Sequence, residues 1–256
     1  MTEYLPLNKA NRLLIARAFT QVLRVDMSID CVIEGQMGQA LVDNAQSPTV
    51  FTLEVGSFRY FAGEAASIEG HKLLDSLQPY TWLMASSPGW AAAAQEKFQD
   101  RLLAIDRFRF SSKSLAVDHL HHLIAQSELR QEVKLMDVDF AQYLWEQDHF
   151  VDLSDYDSPE DFVKRGVGYY LEHDGQMIGA TYASLVCSRG IEVSIFVQAA
   201  FRRRGIATLL ASYLLRWCIE RHVHPNWDAA NPMSCGLAEK LGYRPLGQYQ
   251  AYYLKA

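Results

Sequence analysis

The chain lacks the features that would settle its class at once. Its four cysteines, Cys31, Cys187, Cys218 and Cys235, stand far apart, with no C-x-x-C pair and no zinc-type spacing. They read as reduced thiols of a cytoplasmic protein. No apolar run approaches bilayer length, and the opening M-T-E-Y-L-P-L-N-K-A has no basic flank before an apolar stretch, so neither membrane insertion nor secretion is expected. Positive charge is also scarce. A net charge of −6 gives no electrostatic reason for general nucleic-acid or anionic-membrane binding, and it suits a cationic partner better. Neither G-x-x-x-x-G-K-[ST] nor a post-strand G-x-G-x-x-G occurs, which disfavours a kinase or a dinucleotide dehydrogenase. Low-complexity tracts and strict repeats are absent as well.

What remains is a chain of 256 residues, 49% apolar, enough for one large domain or two ordinary ones around a buried core. Asn8 caps an expected helix over Lys9–Arg24. Two β-rich runs, Thr49–Val55 and Phe58–Ala62, flank Gly56-Ser57 as a hairpin. A short helix over Lys72–Leu77, a strand in T-W-L-M-A, a helix from Ser87-Pro88 to Leu103 and a strand in F-R-F follow. The polar stretch Ser111–Ser114 interrupts the periodicity and is taken as the boundary between domains 1–112 and 113–256.

The second half reads as helix, strand and helix to Asp148, an acidic loop, and a helix begun by Ser158-Pro159. Strands over Gly168–Glu172 and Met177–Cys187 are joined by an Asp174-Gly175 turn, and a third covers Ile191–Val197. A helix over Gly205–Arg221, a short strand at Asn226–Ala229, a helix over Pro232–Leu241 and a last strand or strand pair through Tyr249–Leu254 complete an α/β chain of the α+β type, with a mixed, mostly antiparallel central sheet flanked by helices. The first half repeats the order hairpin, helix, strand, helix, strand. Two related folds in a pseudo-dimer would explain this, and so would chance.

The segment F-R-R-R-G-I-A, Phe201–Ala207, joins a strand to a helix. A helix N-terminus offers unpaired N–H groups to an anion, Gly205 lets a phosphate approach the backbone, and small Ala207 keeps the next position open. Arg202, Arg203 and Arg204 add charge where a diphosphate would sit. Taken alone, the same residues also describe a basic turn that merely starts a helix.

Strand, R-x-x-G-x-A turn and helix together resemble motif A of the GCN5-related N-acetyltransferases (GNATs). W-D-A-A-N-P-M-S-C-G-L-A-E-K-L-G-Y, from Trp227 to Tyr243, is similar to that family's motif B. The resemblance covers roughly Glu132 to Leu254, and its wording is nearest a bacterial subgroup with an added N-terminal domain, which implies that residues 1–112 form an α/β domain, possible as a degenerate GNAT-like half. It implies acetyl-CoA as co-substrate and no metal. Contacts to CoA are then expected from Ile195, Phe196 and Val197 at a bulge where the strand splays, from Arg202, Arg203, Arg204, Gly205, Ile206, Ala207 and Thr208 in the turn, and from Asn231 and Ser234. Asn231-Pro232 reads equally as a helix cap and first turn.

The resemblance also points to Glu192, ten residues before Arg202, as the base that takes a proton from the attacking amine; an outward edge-strand glutamate is the alternative. Many relatives carry a tyrosine seven residues after the asparagine to protonate the thiolate, and here that position is Ala238. Ser234, Cys235, Tyr252 and Tyr253 are the substitutes considered, with solvent as another, while Tyr243 reads as core. Glu146, Asp148, Asp152, Asp155, Asp157, Glu160 and Asp161 make an acidic run interleaved with Tyr143, Trp145, Phe150 and Tyr156, either a solvated loop or a lid over an amine. His119 and His122 share a helix face without further metal ligands.

The expected activity is acetyl transfer to the amine of a small molecule, an antibiotic or amine metabolite, in a ternary complex. A protein or peptide amine, or a CoA-binding module without chemistry, are the alternatives. A monomer (as a pseudo-dimer) or a homodimer is expected, with neither nucleic acid nor membrane as partner.

Overall fold

Several helix starts follow local capping chemistry in the structure, a computed structural model that describes residues 2–146 and 151–256. In chain order the first elements are β1 (Glu3–Tyr4), α1 (Lys9–Ala18), α2 (Ser28–Glu34), β2 (Gln39–Val42), β3 (Val50–Val55), β4 (Phe58–Gly63), α3 (Ile68–Asp75), β5 (Trp82–Met84), α4 (Pro88–Phe98) and β6 (Leu102–Ser111). Then come α5 (Val117–Ala125), β7 (Lys134–Leu135), α6 (Val138–Glu146), α7 (Pro159–Arg165), β8 (Gly168–His173), β9 (Gln176–Cys187) and β10 (Gly190–Val197). The last are α8 (Ile206–Glu220), β11 (Pro225–Asn226), β12 (Asp228–Ala229), α9 (Pro232–Leu241) and β13 (Arg244–Leu254). Side chains of Asn8, Ser67, Ser87, Ser158 and Asn231 cap α1, α3, α4, α7 and α9.

Two compact units emerge: residues up to Arg107 together with Gln248–Ala256, and Phe108–Gly247. The division therefore falls inside β6, ahead of the polar stretch at Ser111–Ser114, which marks only the end of that strand. The chain's last residues belong to the first unit because Tyr252 and Tyr253 pair with Leu83 and Trp82 of β5.

In the first unit the strands run β1-β2-β3-β4-β5-β13, antiparallel except for β4 with β5. Trp90, Phe61, Leu73, Leu74 and Leu83 form its core. The first helix stops at Ala18 because the chain turns there, and the Arg24 guanidinium donates to the carbonyls of Phe19 and Val22 and to Asp30. Helix α2 was not apparent from the sequence, since it has no side-chain cap.

The second unit has the order β11-β10-β9-β8-β7, antiparallel except for β10 with β11, and β12 pairs with Phe108–Arg109 of β6. Helices α5, α8 and α9 close over one face through Leu120, Ala211, Leu215, Ala238, Leu241 and Trp227. The single strand expected over Asn226–Ala229 is broken at Trp227 into two, because the Trp227 indole turns inward to the Ser234 hydroxyl (3.2 Å) and the Tyr243 ring (5.3 Å).

Both units share one succession: an antiparallel hairpin (β3–β4, β9–β10), a helix (α3, α8), a strand parallel to the second hairpin strand (β5, β11), and, after the short β12 in the second unit, another helix (α4, α9).

Candidate active site

Strand β10 is held on one side by β9 and on the other by only two residues of β11, in the pairs Ile191↔Pro225 and Glu192↔Asn226. Beyond them β10 continues through Val193–Val197 while the neighbouring chain leaves at Trp227 for β6. A cavity of about 730 Å³ opens in that gap. Val193 to Val197 form one wall, Phe201, Arg202, Arg203 and Gly205 to Thr208 the end, and Trp227, Asp228, Ala230, Asn231, Met233, Ser234, Leu237 and Lys240 the other wall.

The opening does not come from a bulge at Ile195–Val197. The β9–β10 register is regular there, and the irregularity lies between Glu192 and Val193, whose partners Leu185 and Ala183 leave Ser184 of β9 as the extra residue. The early departure of the partner strand is what parts the backbones.

At the cavity's end the turn is strained. Arg203 and Gly205 both have left-handed backbones, φ 64° and 81°, a conformation costly for arginine and natural for glycine. Arg202 Nε donates to Val197 O at 3.1 Å, tying the turn to the strand, and Arg204 lies over the Phe201 ring at 5.3 Å. Unlike the helices capped by side chains, α8 starts at Gly205 with no side chain on its amides. A Cβ placed on Gly205 would meet nothing within 4 Å. Open space thus faces the N–H groups of a fifteen-residue helix beside Arg202 and Arg203, an arrangement suited to a diphosphate.

The family model described as GNAT acetyltransferase matches residues 17–252. The chain belongs to that family. It is similar to YdfB of Bacillus subtilis (strain 168), an uncharacterized N-acetyltransferase, at 22% identity over 84% of this chain and 85% of that protein. It is similar also to a solved GCN5-related N-acetyltransferase-like protein from Streptococcus suis 89/1591, 26% identical, TM-score 0.84, over 97% of this chain and 100% of that one. A tandem GNAT protein from the clavulanic acid biosynthesis pathway shares the fold, with TM-score 0.51 and 12% identity over 98% of both chains.

Of the residues expected to contact CoA in this GNAT chain, Ile195, Phe196, Val197, Arg202, Arg203, Gly205, Ile206, Ala207, Thr208, Asn231 and Ser234 come together on the cavity wall. Arg204 does not, being turned onto Phe201. Glu192 sits just outside the lining, half-buried, its Oε2 accepting from Asn226 Nδ2 at 2.9 Å. Asn231 is a helix cap, its Oδ1 accepting the Ser234 amide at 3.0 Å, and still lines the cavity. Lys240, Asp228 and Met233 were missed. They lie within the second motif, and only the placement of α9 against the gap reveals that they face it.

Ala238 is fully buried in the α8–α9 core, so its place offers no room to the cavity. Tyr243 is buried as well, its hydroxyl donating to Pro225 O at 3.0 Å, and burial pushes its pKa well up. Burial, with Glu239 nearby, also raises the Cys235 thiol. Tyr252 and Tyr253 belong to the first unit, Tyr253 tilted against Trp82 at 5.0 Å. Ser234 alone among the substitutes considered lines the cavity.

The acidic loop is partly structural. Asp161 is bonded by Arg165, Asp152 Oδ1 accepts the Ser154 amide at 2.9 Å, and Asp148 and Phe150 lie outside the described residues. Val151, Leu153 and Tyr156 are buried, the Tyr156 hydroxyl donating to Ala183 O at 2.7 Å and the Asp152 amide to the Tyr182 hydroxyl at 3.1 Å. Tyr182 faces Ser194 across the ladder, on the side of the sheet that carries Glu192. Asp155 is half-buried, while Asp157 and Glu160 stay at the surface, as do Glu146, Tyr143 and Trp145 of α6. His119 bonds Lys240 O at 2.8 Å and His122 bonds Gln126 at 2.9 Å. Among the described residues no group of three or more His, Cys, Asp or Glu could hold a metal ion, and no helix is long and apolar enough to cross a membrane.

Proposed function

We propose that this chain is an acetyl-CoA-dependent N-acetyltransferase acting on the amine of a small molecule. The observation that carries the proposal is the cavity itself, which joins an uncapped, arginine-flanked helix start to the stretch of β10 that β11 leaves after Glu192. The turn would hold the CoA diphosphate, and the walls from Val193 to Val197 and from Trp227 to Leu237 would enclose the pantetheine arm. Backbone N–H groups of β10 would stabilise negative charge on the thioester oxygen.

The amine nitrogen bonds to the carbonyl carbon, the C–S bond breaks, and Glu192 takes the ammonium proton directly or through water. Solvent can protonate the departing thiolate, whose basicity is low. The loop at Val151–Tyr156 is bonded to Ala183 and to Tyr182, which stands on the face of the sheet that carries Glu192, and this supports a small acceptor over a peptide.

The first unit fits a degenerate GNAT-like half, a reading supported by the shared succession of elements and by the tandem relative's fold. Thiol release across an amine panel tests the main reading, with calorimetry against acetyl-CoA alongside it. Binding without release would leave a CoA module, and no binding would end both readings. Glu192→Gln is expected to lower turnover about 100-fold or more while leaving acetyl-CoA affinity unchanged.

A further inference from the structure

Beside Glu192 lies a row of polar side chains that the transfer scheme does not use. Asn226, on β11, is 8% exposed and sits directly across the parallel ladder from Glu192, which puts both side chains on one face. Its Nδ2 donates to Glu192 Oε2 at 2.9 Å. His224, two residues earlier, makes a side-chain hydrogen bond to Asn226 and meets Ser112 Oγ through Nδ1 at 2.9 Å.

Donor and acceptor roles along the row are consistent. With the Nδ1 atom given to Ser112, Nε2 is the ring nitrogen left for Asn226, and an N–H there needs the amide oxygen as its acceptor. That choice aims the amide NH₂ at Glu192, so an amide whose two ends are otherwise nearly equivalent is fixed in one orientation. The close approach that permits the row is built in: Ile191 N donates to His224 O at 2.9 Å, and Gly190 has no Cβ to obstruct it.

We infer that Asn226 and His224 are positioning residues for Glu192, Asn226 holding one carboxylate oxygen and His224, braced by Ser112, holding Asn226. The inference rests on the reading of Glu192 as the base. Neither residue lines the cofactor cavity, so their effect belongs to the acceptor half of the reaction. Donation to a carboxylate favours its charged form, which keeps a base ready to accept a proton at lower pH. Among the described residues, the titratable or charged groups around the row include Tyr182 on β9, Tyr243, whose ionisation Glu192 opposes, and Arg189, whose cation acts on His224.

The test follows the Glu192 side-chain carboxyl carbon by ¹³C NMR in the full chain with CoA bound, the resonance being assigned by its loss in Glu192→Gln. Asn226→Ala is expected to move the titration midpoint upward by about one pH unit. His224→Leu, which leaves Asn226 in place and guards against a folding failure of the first variant, moves it the same way by less. His224→Gln, whose amide can still donate to Asn226, keeps the native midpoint. Acetyl-CoA affinity by calorimetry stays within about twofold in all three, as expected for residues away from the diphosphate.

Midpoints unmoved in both Asn226→Ala and His224→Leu overturn the inference, and so does a His224→Gln shift as large as that of His224→Leu. The base reading fails separately, if Glu192→Gln leaves turnover intact for an amine found active in the panel. Lost turnover in Glu192→Gln with an unmoved Asn226→Ala midpoint removes the positioning role alone.

Discussion

Arg203 shows function and stability pulling in opposite directions within one residue. Its left-handed backbone costs about 1 kcal/mol relative to glycine, and its reward is a cation at the cavity's end. Arg203→Gly should therefore raise unfolding stability by about that amount in chemical denaturation while weakening acetyl-CoA binding roughly tenfold by calorimetry. Asp161 has no such conflict. It caps nothing in the site, but Arg165 grips its carboxylate with Nε at 2.7 Å and with a second bond through Nη2, and this pairing holds its pKa below the ordinary value. A native carboxyl that binds its proton less tightly than the unfolded one adds stability above the unfolded pKa of about 4, and that stability is lost as pH falls through the native value. Thermal melts of Asp161→Asn should accordingly fall below the parent at pH 7 and converge with it in acid.

At the level of elements, the pairing of β10 with β11 depends on one close approach. A Cβ on Gly190, whose φ is 148°, would lie 2.0 Å from His224 O. Gly190→Ala should force the two strands apart and cost at least about 2 kcal/mol in denaturant unfolding. The element boundaries with local chemical causes were visible in the chain itself: Ser158-Pro159 starts α7, and Asp174-Gly175, both left-handed, turns β8 into β9. Those with distant causes were not. The end of α1 depends on Arg24 reaching back to Phe19 and Val22, and the break between β11 and β12 depends on Trp227 finding Ser234 and Tyr243.

Across the whole molecule, two similar successions end in opposite ways. In the first unit the chain after β5 returns directly to β4: the Ser86 hydroxyl donates to Phe61 O, and the Trp90 indole donates to Gly63 O at 3.2 Å while stacking on Phe61 at 4.9 Å. The start of α3 is capped by Ser67, with Glu69 in its first turn, where α8 has open amides and arginines. A diphosphate would meet a filled gap and a negative charge there. Calorimetric titration should accordingly give one acetyl-CoA per chain, and Gly205→Asp, which places a carboxylate at the α8 turn, should abolish it; a second equivalent surviving that change would contradict the closed first unit.

By itself the sequence determined the periodicity, the capped helix starts, the tight turn at Asp174-Gly175 and the linear motif from Phe201 to Ala207, because each of these is written in residues a few positions apart. It also pointed to Glu192 and to the residues now found around one cavity. Tertiary structure alone decided that the cavity exists, since it requires β11 to leave β10 after two residues. It decided too that Arg204 turns away, that Ala238 is core, and that Asn226 stands beside Glu192. Those outcomes depend on contacts between segments far apart in the chain, whose geometry no local pattern encodes.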